Sequence, residues 1–129
     1  MKANTLNISI NRGHKSVYEF VSDLNNLPKW ATTFCLSIKR DGENWQALTP
    51  QGPVKIRITP RNDFGILDHY IVQVPGVEMH VPMRVIQNDK GSEVIFVLFH
   101  QPDMTDAQFA EDLYKVQQDL KTLKQVLEK

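Results

Sequence analysis

The stretch VYEFVSDLNNLPKWA, residues 17–31, decides how the chain folds. Its first part is typical of an amphipathic helix, because apolar residues recur at spacings that place them on one helical face: Val17, Phe20, Val21 and Leu24. Ser16 and Glu19 stand three residues apart, which is the spacing of a capping box. We therefore predict a short helix that ends at the NNLP segment.

A second short helix is predicted directly after the first. Asn25 or Asn26 can cap it, and Pro28 is tolerated in its first turn, where no backbone N–H is needed. This helix carries Trp30.

Strand-like segments lie on both sides of these helices. Residues 4–11 alternate apolar and polar side chains, as a half-buried strand does. After the helices come six more segments, separated by short turn signals: 34–40, 44–49, 53–60, 64–74, 77–87 and 92–100. Consecutive strands joined by such short turns should be antiparallel.

The chain ends in one long predicted helix. Thr105 and Gln108 fit a capping box. Apolar residues then recur at alternating spacings of four and three, which makes a continuous stripe roughly 30 Å long: Phe109, Leu113, Val116, Leu120, Leu123 and Leu127. A coiled coil would show the same stripe, but we expect the helix to cross the concave side of the sheet.

Composition excludes several classes of protein. A chain of 129 residues predicts one domain, residues 1–129. The 15 basic and 15 acidic residues balance and do not cluster, so we expect no nucleic-acid partner. Cys35 is the only cysteine, which excludes an internal disulfide and a cysteine-based zinc site. The start of the chain lacks a signal-peptide pattern and no apolar run is long enough for stable membrane insertion, so we expect a cytoplasmic location.

The order of these elements, together with the segment 17–31 and the amphipathic tail from Thr105, resembles the START-like superfamily, also called SRPBCC. This group includes polyketide cyclases/dehydrases and lipid-transfer proteins. The resemblance covers essentially the whole chain. It implies the α+β helix-grip fold: two short helices after the first strand, and a curved antiparallel sheet of six or seven strands wrapped round the long C-terminal helix. It also implies a hydrophobic cavity between sheet and helix, but it supplies no shared catalytic motif.

A hairpin centred on Pro75-Gly76 would assign the faces of the sheet. In that register Asp68 lies opposite Met83 and Tyr70 opposite Val81, which predicts that both point inward. His69 would then point outward, so Asp68 and His69 cannot form a dyad.

The outer face would hold large apolar residues, which indicates a partner surface or homodimer, unless a loop covers them: Leu67, Ile71, Ile95, Val97 and Phe99.

Asp68 is the candidate for chemistry in this prediction. A carboxylate among apolar neighbours needs a partner or a raised pKa. It could bind a polar group of a ligand or act as a general acid/base, or it could tie the sheet to a helix or loop. The other tempting motif, Asp63-Phe64-Gly65, lacks the remaining kinase signatures and is interpreted as a turn.

We therefore predict that the domain binds a hydrophobic or amphipathic small molecule, such as a lipid, polyketide or quinone-like compound, with no cofactor and no metal. The predicted ligand-binding set combines aromatic, aliphatic and thioether side chains with one carboxylate: Trp30, Ile56, Asp68, Tyr70, Met83, Phe96, Phe109 and Leu113. Two alternatives stay open: a cyclase/dehydratase-type enzyme that uses Asp68, and a protein-interaction module whose cavity is vestigial.

Overall fold

Antiparallel strands and one long helix make up most of the molecule. The computed structural model describes residues 1–129, apart from the side chain of Val74. In chain order the elements are β1 (Ala3–Ile10), α1 (His14–Ser22), a 3-10 helix (Leu24–Asn26), α2 (Leu27–Trp30), β2 (Ser37–Asp41), β3 (Asn44–Thr49), β4 (Gly52–Ile58), β5 (His69–Val74), β6 (Val77–Val81), β7 (Met83–Asn88), β8 (Gly91–Phe99) and α3 (Asp106–Leu127).

The strands form two hydrogen-bonded groups that meet at Pro82. One group has the order β2-β3-β4-β5-β6 and the other β1-β8-β7, and all neighbours are antiparallel. Pro82 is the single residue between β6 and β7, and since proline has no backbone N–H it interrupts the ladder there. Its carbonyl still accepts a 2.9 Å hydrogen bond from the Val97 amide. The predicted α+β helix-grip architecture is confirmed, with eight strands because one long strand is divided at Pro82.

Helix α3 forms where its sequence predicts. Thr105 caps it, and the reciprocal bonds of a capping box join Thr105 and Gln108. The apolar stripe faces the core: Phe109, Leu120, Leu123 and Leu127 are buried, and Leu113 and Val116 are partly buried against them. None of the described helices is both long and apolar enough to cross a membrane.

The two short helices also form, but with other caps than predicted. Helix α1 starts at His14 after Gly13, and no side chain caps it, so the capping box between Ser16 and Glu19 is wrong. Asn26 occupies the N-cap position of α2, yet its side chain donates to the Phe20 carbonyl instead of capping. These helices bury Val17, Val21, Leu24, Leu27 and Trp30 against the sheet and α3.

The hairpin between β5 and β6 corrects the predicted faces of the sheet. Val74 pairs with Val77, but the register then shifts, so that Val72 pairs with Glu78 and Ile71 with Met79. A β-bulge of this kind adds one residue to one strand, and beyond it every side chain of that strand lies on the opposite face from the one predicted.

The predicted inward orientation of Asp68 and Tyr70 is therefore wrong, and so is the outward orientation of His69, Leu67 and Ile71. Leu67 is 1% exposed and Ile71 is 7% exposed, which places both in the core. On β8 the predicted alternation holds: Phe96 and Leu98 are buried, and the residues between them are only half-buried.

Candidate functional site

A pocket of about 660 Å³ lies between the sheet, the short helices and α3. The side chains that line its interior are mostly apolar: Val21, Leu24, Leu27, Trp30, Ala31, Phe34, Ile56, Ile58, Leu67, Ile71, Met79, Val81, Met83, Phe96 and Leu98. Strand alternation supplies those from the sheet, and the apolar faces of the short helices supply the rest.

Four of the sequence-predicted site residues line this pocket, namely Trp30, Ile56, Met83 and Phe96. Trp30 is 5% exposed, and its indole Nε1 has no hydrogen-bond partner among the described residues. The other four predicted residues are absent from the described lining, as set out next.

Phe109 and Leu113 belong to the packing between α3 and the sheet. The Phe109 ring is buried and lies 4.8 Å from the His100 ring, centroid to centroid. Leu113 is half-buried against the core. Tyr70 lies on the outer face, stacked on His80 with centroids 4.8 Å apart and with the Arg57 guanidinium 4.3 Å above its ring.

Asp68 lies outside the described pocket lining and joins the start of β5 to the start of β7 through hydrogen bonds. Its Oδ1 accepts hydrogen bonds from the Met83 amide and Arg84 Nε, both at 2.9 Å, and its Oδ2 accepts from Arg84 Nη2 at 2.8 Å. The hydrogen bonds from Arg84, followed by that of the Met83 amide, lower the pKa of Asp68 despite partial burial. Asp68 is therefore ionised and paired at neutral pH, which leaves it unsuited to proton transfer in the pocket.

His69 takes the place in the pocket that was predicted for Asp68. Its ring lines the cavity and lies edge-on to the Phe96 ring, with centroids 6.2 Å apart. Its Nδ1 lies 3.0 Å from the Leu67 carbonyl oxygen. Because a carbonyl only accepts, Nδ1 must carry the hydrogen. Burial lowers the pKa of His69, so the ring is neutral and Nε2 is a free acceptor.

The other polar side chains inside the pocket are already paired within the protein. Asp119 of α3 is 5% exposed and accepts from the Thr33 amide at 3.0 Å and from Thr33 Oγ1 at 2.7 Å. Burial raises the pKa of Asp119. Thr49 Oγ1 donates to the Gly52 carbonyl at 2.7 Å. These bonds fix the loop after α2 and the β3–β4 turn. Two polar atoms of the described interior stay unpaired: Trp30 Nε1, which is a donor, and His69 Nε2, which is an acceptor.

The mouth of the pocket is lined by nine polar residues, of which four are acidic, four are glutamines and one is a lysine. Its residues come from the β3–β4 turn, the β5–β6 hairpin, the segment before α3 and the first half of α3: Gln51, Gln73, Glu78, Gln101, Asp103, Gln108, Glu111, Asp112 and Lys115. Lys115 Nζ lies 3.2 Å from Glu111 Oε1, so the one lysine in this set is already paired. Burial raises the pKa of Asp112, against the attraction of Lys115.

The described residues include neither an activated cysteine nucleophile nor a cluster suited to bind a metal ion. Cys35 is buried and its pKa is raised to about 11 by burial, so its thiol stays protonated. Among the described side chains no group of three or more His, Cys, Asp or Glu residues is placed to hold a metal ion.

Comparison with known proteins rests on structure, since no family model and no curated protein matches the sequence. XoxI from Bacillus cereus has a TM-score of 0.80 at 20% identity, with 98% of this chain and 96% of that chain covered. The Aha1 dimer from Colwellia psychrerythraea gives 0.78 at 18% identity, with 99% and 97% covered. A START superfamily protein from Mycobacterium smegmatis gives 0.75 at 10% identity, with 98% and 97% covered.

The chain has the START-like helix-grip fold. At these identities the likeness concerns the fold alone. Within this START-like fold, His69 and Asp119 are ionisable residues of the pocket interior that were absent from the predicted set. The sequence feature that could have indicated Asp119 is its position directly before Leu120, where a charged residue borders the apolar stripe of α3. No sequence feature indicated that His69 faces the pocket, because the bulge in β5 reverses the face that strand alternation predicts for it.

Proposed function

We propose that this START-like domain binds a hydrophobic or amphipathic small molecule, such as a lipid, polyketide or quinone-like compound, between its sheet and C-terminal helix. The observation that carries the proposal is the pocket of about 660 Å³ with an apolar interior and a polar mouth. Small-molecule sites are typically concave, mostly apolar and of a few hundred to about 1,000 Å³.

The lining suits an adaptable apolar guest. Trp30, Ile56, Met83 and Phe96 come from four different elements, and we propose that they contact the ligand. Met79 and Met83 add flexible thioethers, which fill irregular shapes. The polar mouth would keep in water any part of the ligand that extends beyond the apolar interior.

A fluorescent apolar probe tests this proposal. N-phenyl-1-naphthylamine, an uncharged dye that brightens in apolar surroundings, should bind with a saturable signal. Met79→Trp should weaken that binding at least tenfold, because the indole would occupy part of the pocket. His80→Trp is the matched control: it is the next residue of the same strand, is exposed, and should leave binding unchanged. Equal binding by both variants, or no saturable binding at all, would refute the proposal.

The enzyme alternative loses the residue on which it depended. Asp68 is paired with Arg84 outside the described pocket lining, and its pKa is lowered, so neither its position nor its protonation state supports an acid/base role.

A homodimer through the outer sheet face is the second candidate. Ile95, Val97 and Phe99 remain only half-buried on that face, and Ile86 beside them is 47% exposed. Analytical ultracentrifugation should show a concentration-dependent dimer that Val97→Glu abolishes and Leu48→Glu, at an exposed apolar residue elsewhere, leaves intact. A monomer at all concentrations would exclude it.

A further inference from the structure

The ring of His69 gives the pocket a defined polar preference. Nδ1–H is held by the Leu67 carbonyl at 3.0 Å, and the edge-on contact with Phe96 fixes the plane of the ring. Nε2 then has a lone pair and, among the described residues, no hydrogen-bond partner. A fixed acceptor of this kind matches a ligand group that donates a hydrogen bond.

Charges at the pocket disfavour anionic ligands. Of the four carboxylates at the mouth, Glu111 pairs with Lys115 and Glu78 pairs with Arg57. Asp103 and Asp112 remain, and the one lysine of the described lining is already paired. No arginine belongs to the described lining. A fatty acid or an anionic phospholipid would bring a negative charge to a site of the same sign that has no unpaired cation in its described lining.

We propose that the ligand is an uncharged amphiphile with a hydroxyl group, an alcohol or a phenol, whose O–H donates to Nε2 of His69 inside the pocket. This rests on the proposed binding function and narrows it to a chemical class. A hydrocarbon leaves Nε2 unpaired, and a carboxylate presents oxygens that cannot donate to it. The hydroxyl satisfies the acceptor and keeps the apolar remainder of the ligand against the aliphatic and aromatic lining.

Three fluorescent probes that differ only in their terminal group test this inference: 1-pyrenebutanol, 1-butylpyrene and 1-pyrenebutyrate. At pH 7.5 the alcohol should bind about tenfold more tightly than the carboxylate. His69→Phe keeps an aromatic ring but removes the acceptor, and it should lower the preference for the alcohol over the hydrocarbon by about tenfold. His80→Phe, the same exchange on the outer face, should leave all three affinities unchanged.

The outcomes separate the two proposals. If none of the three probes binds, the binding function itself fails. If all three bind equally, or the carboxylate binds best, the pocket is real and the inference about His69 is overturned.

A spectroscopic test needs no variant. In protein with 15N-labelled histidine, the Nε2 resonance of His69 should shift clearly more with 1-pyrenebutanol than with 1-butylpyrene, because both probes add the ring current of pyrene and only the alcohol adds a hydrogen bond. The ring should remain in the neutral Nδ1–H form throughout. A second proton on the ring in the presence of 1-pyrenebutyrate, or no Nε2 response to the alcohol, would overturn the inference.

Discussion

Replacing Asp68 by alanine should cost stability and spare ligand binding. The substitution removes a carboxylate that is 16% exposed and leaves the Met83 amide without its 2.9 Å partner. A buried hydrogen bond to a charged acceptor contributes about 1.5–3 kcal/mol. The two bonds from Arg84, whose side chain is 47% exposed, add little because water screens them. We expect a loss of about 2 kcal/mol in the free energy of unfolding, which lowers Tm by roughly 8 °C in a domain of this size.

Urea unfolding followed by circular dichroism measures the effect, with Asp68→Asn and Arg84→Met as companions. Asp68→Asn keeps an acceptor for the Met83 amide but loses the charge, so it should cost about 1 kcal/mol. Arg84→Met leaves the Met83 bond intact and should cost about 0.5 kcal/mol. All three variants should bind N-phenyl-1-naphthylamine with wild-type affinity, because Asp68 lies outside the described pocket lining.

The pH dependence of this effect has a definite sign. Because pairing lowers the pKa of Asp68 in the folded protein, the carboxylate stabilises the fold above its ordinary pKa of about 3.9 and loses that contribution as pH falls through the lowered value. The stability gap between wild type and Asp68→Asn should be constant from about pH 7 to pH 5 and shrink below about pH 4. If Asp68→Asn instead keeps full stability and loses binding, Asp68 faces the pocket and the structural interpretation is wrong.

Three further substitutions test the packing by urea unfolding. Gly65→Ala should cost more than about 3 kcal/mol, because Gly65 has a φ of 70° and a Cβ there would lie 2.1 Å from the Val85 carbonyl oxygen; a mild effect would contradict that close approach. Thr33→Val should cost about 1–2 kcal/mol and raise the pKa of Asp119 further, since it removes a hydroxyl donor from a buried carboxylate; an unchanged pKa by NMR titration would contradict the pairing. Leu120→Ala, at a fully buried position of α3, should cost about 3 kcal/mol, and a cost below about 1 kcal/mol would place this residue outside the core.

The long helix and the order of elements follow directly from the sequence. The stripe of α3 has an unambiguous spacing, and the Thr105–Gln108 capping box appears where the pattern predicts it. The outward placement of Ile95, Val97 and Phe99 on β8 was also predicted correctly, because the β8 pattern is supported by its partner β7. Ile56 of β4 lines the pocket as predicted, since it alternates with the charged residues Lys55 and Arg57. Local periodicity therefore sufficed wherever one face of an element was clearly polar.

Strand β5 was predicted on the wrong face for a physical reason. Its two faces are equally mixed: Asp68 and Tyr70 on one, His69 and Ile71 on the other. With no contrast between faces, the assignment depended on the register of the hairpin, and one extra residue near Gln73 reverses that register. The observed register is accompanied by tertiary contacts such as the Asp68–Met83 hydrogen bond, which a single sequence does not display.

The methionine methyl groups provide the most direct test of ligand binding in the pocket. Met79, Met83 and Met104 line the pocket, whereas Met1 is 78% exposed and lies outside its described lining. In protein with 13C-methyl methionine, N-phenyl-1-naphthylamine should shift the Met79 and Met83 resonances through the ring currents of the dye and leave Met1 unchanged. A saturable fluorescence signal with unshifted Met79 and Met83 methyl groups would place the dye elsewhere and contradict the proposed binding site.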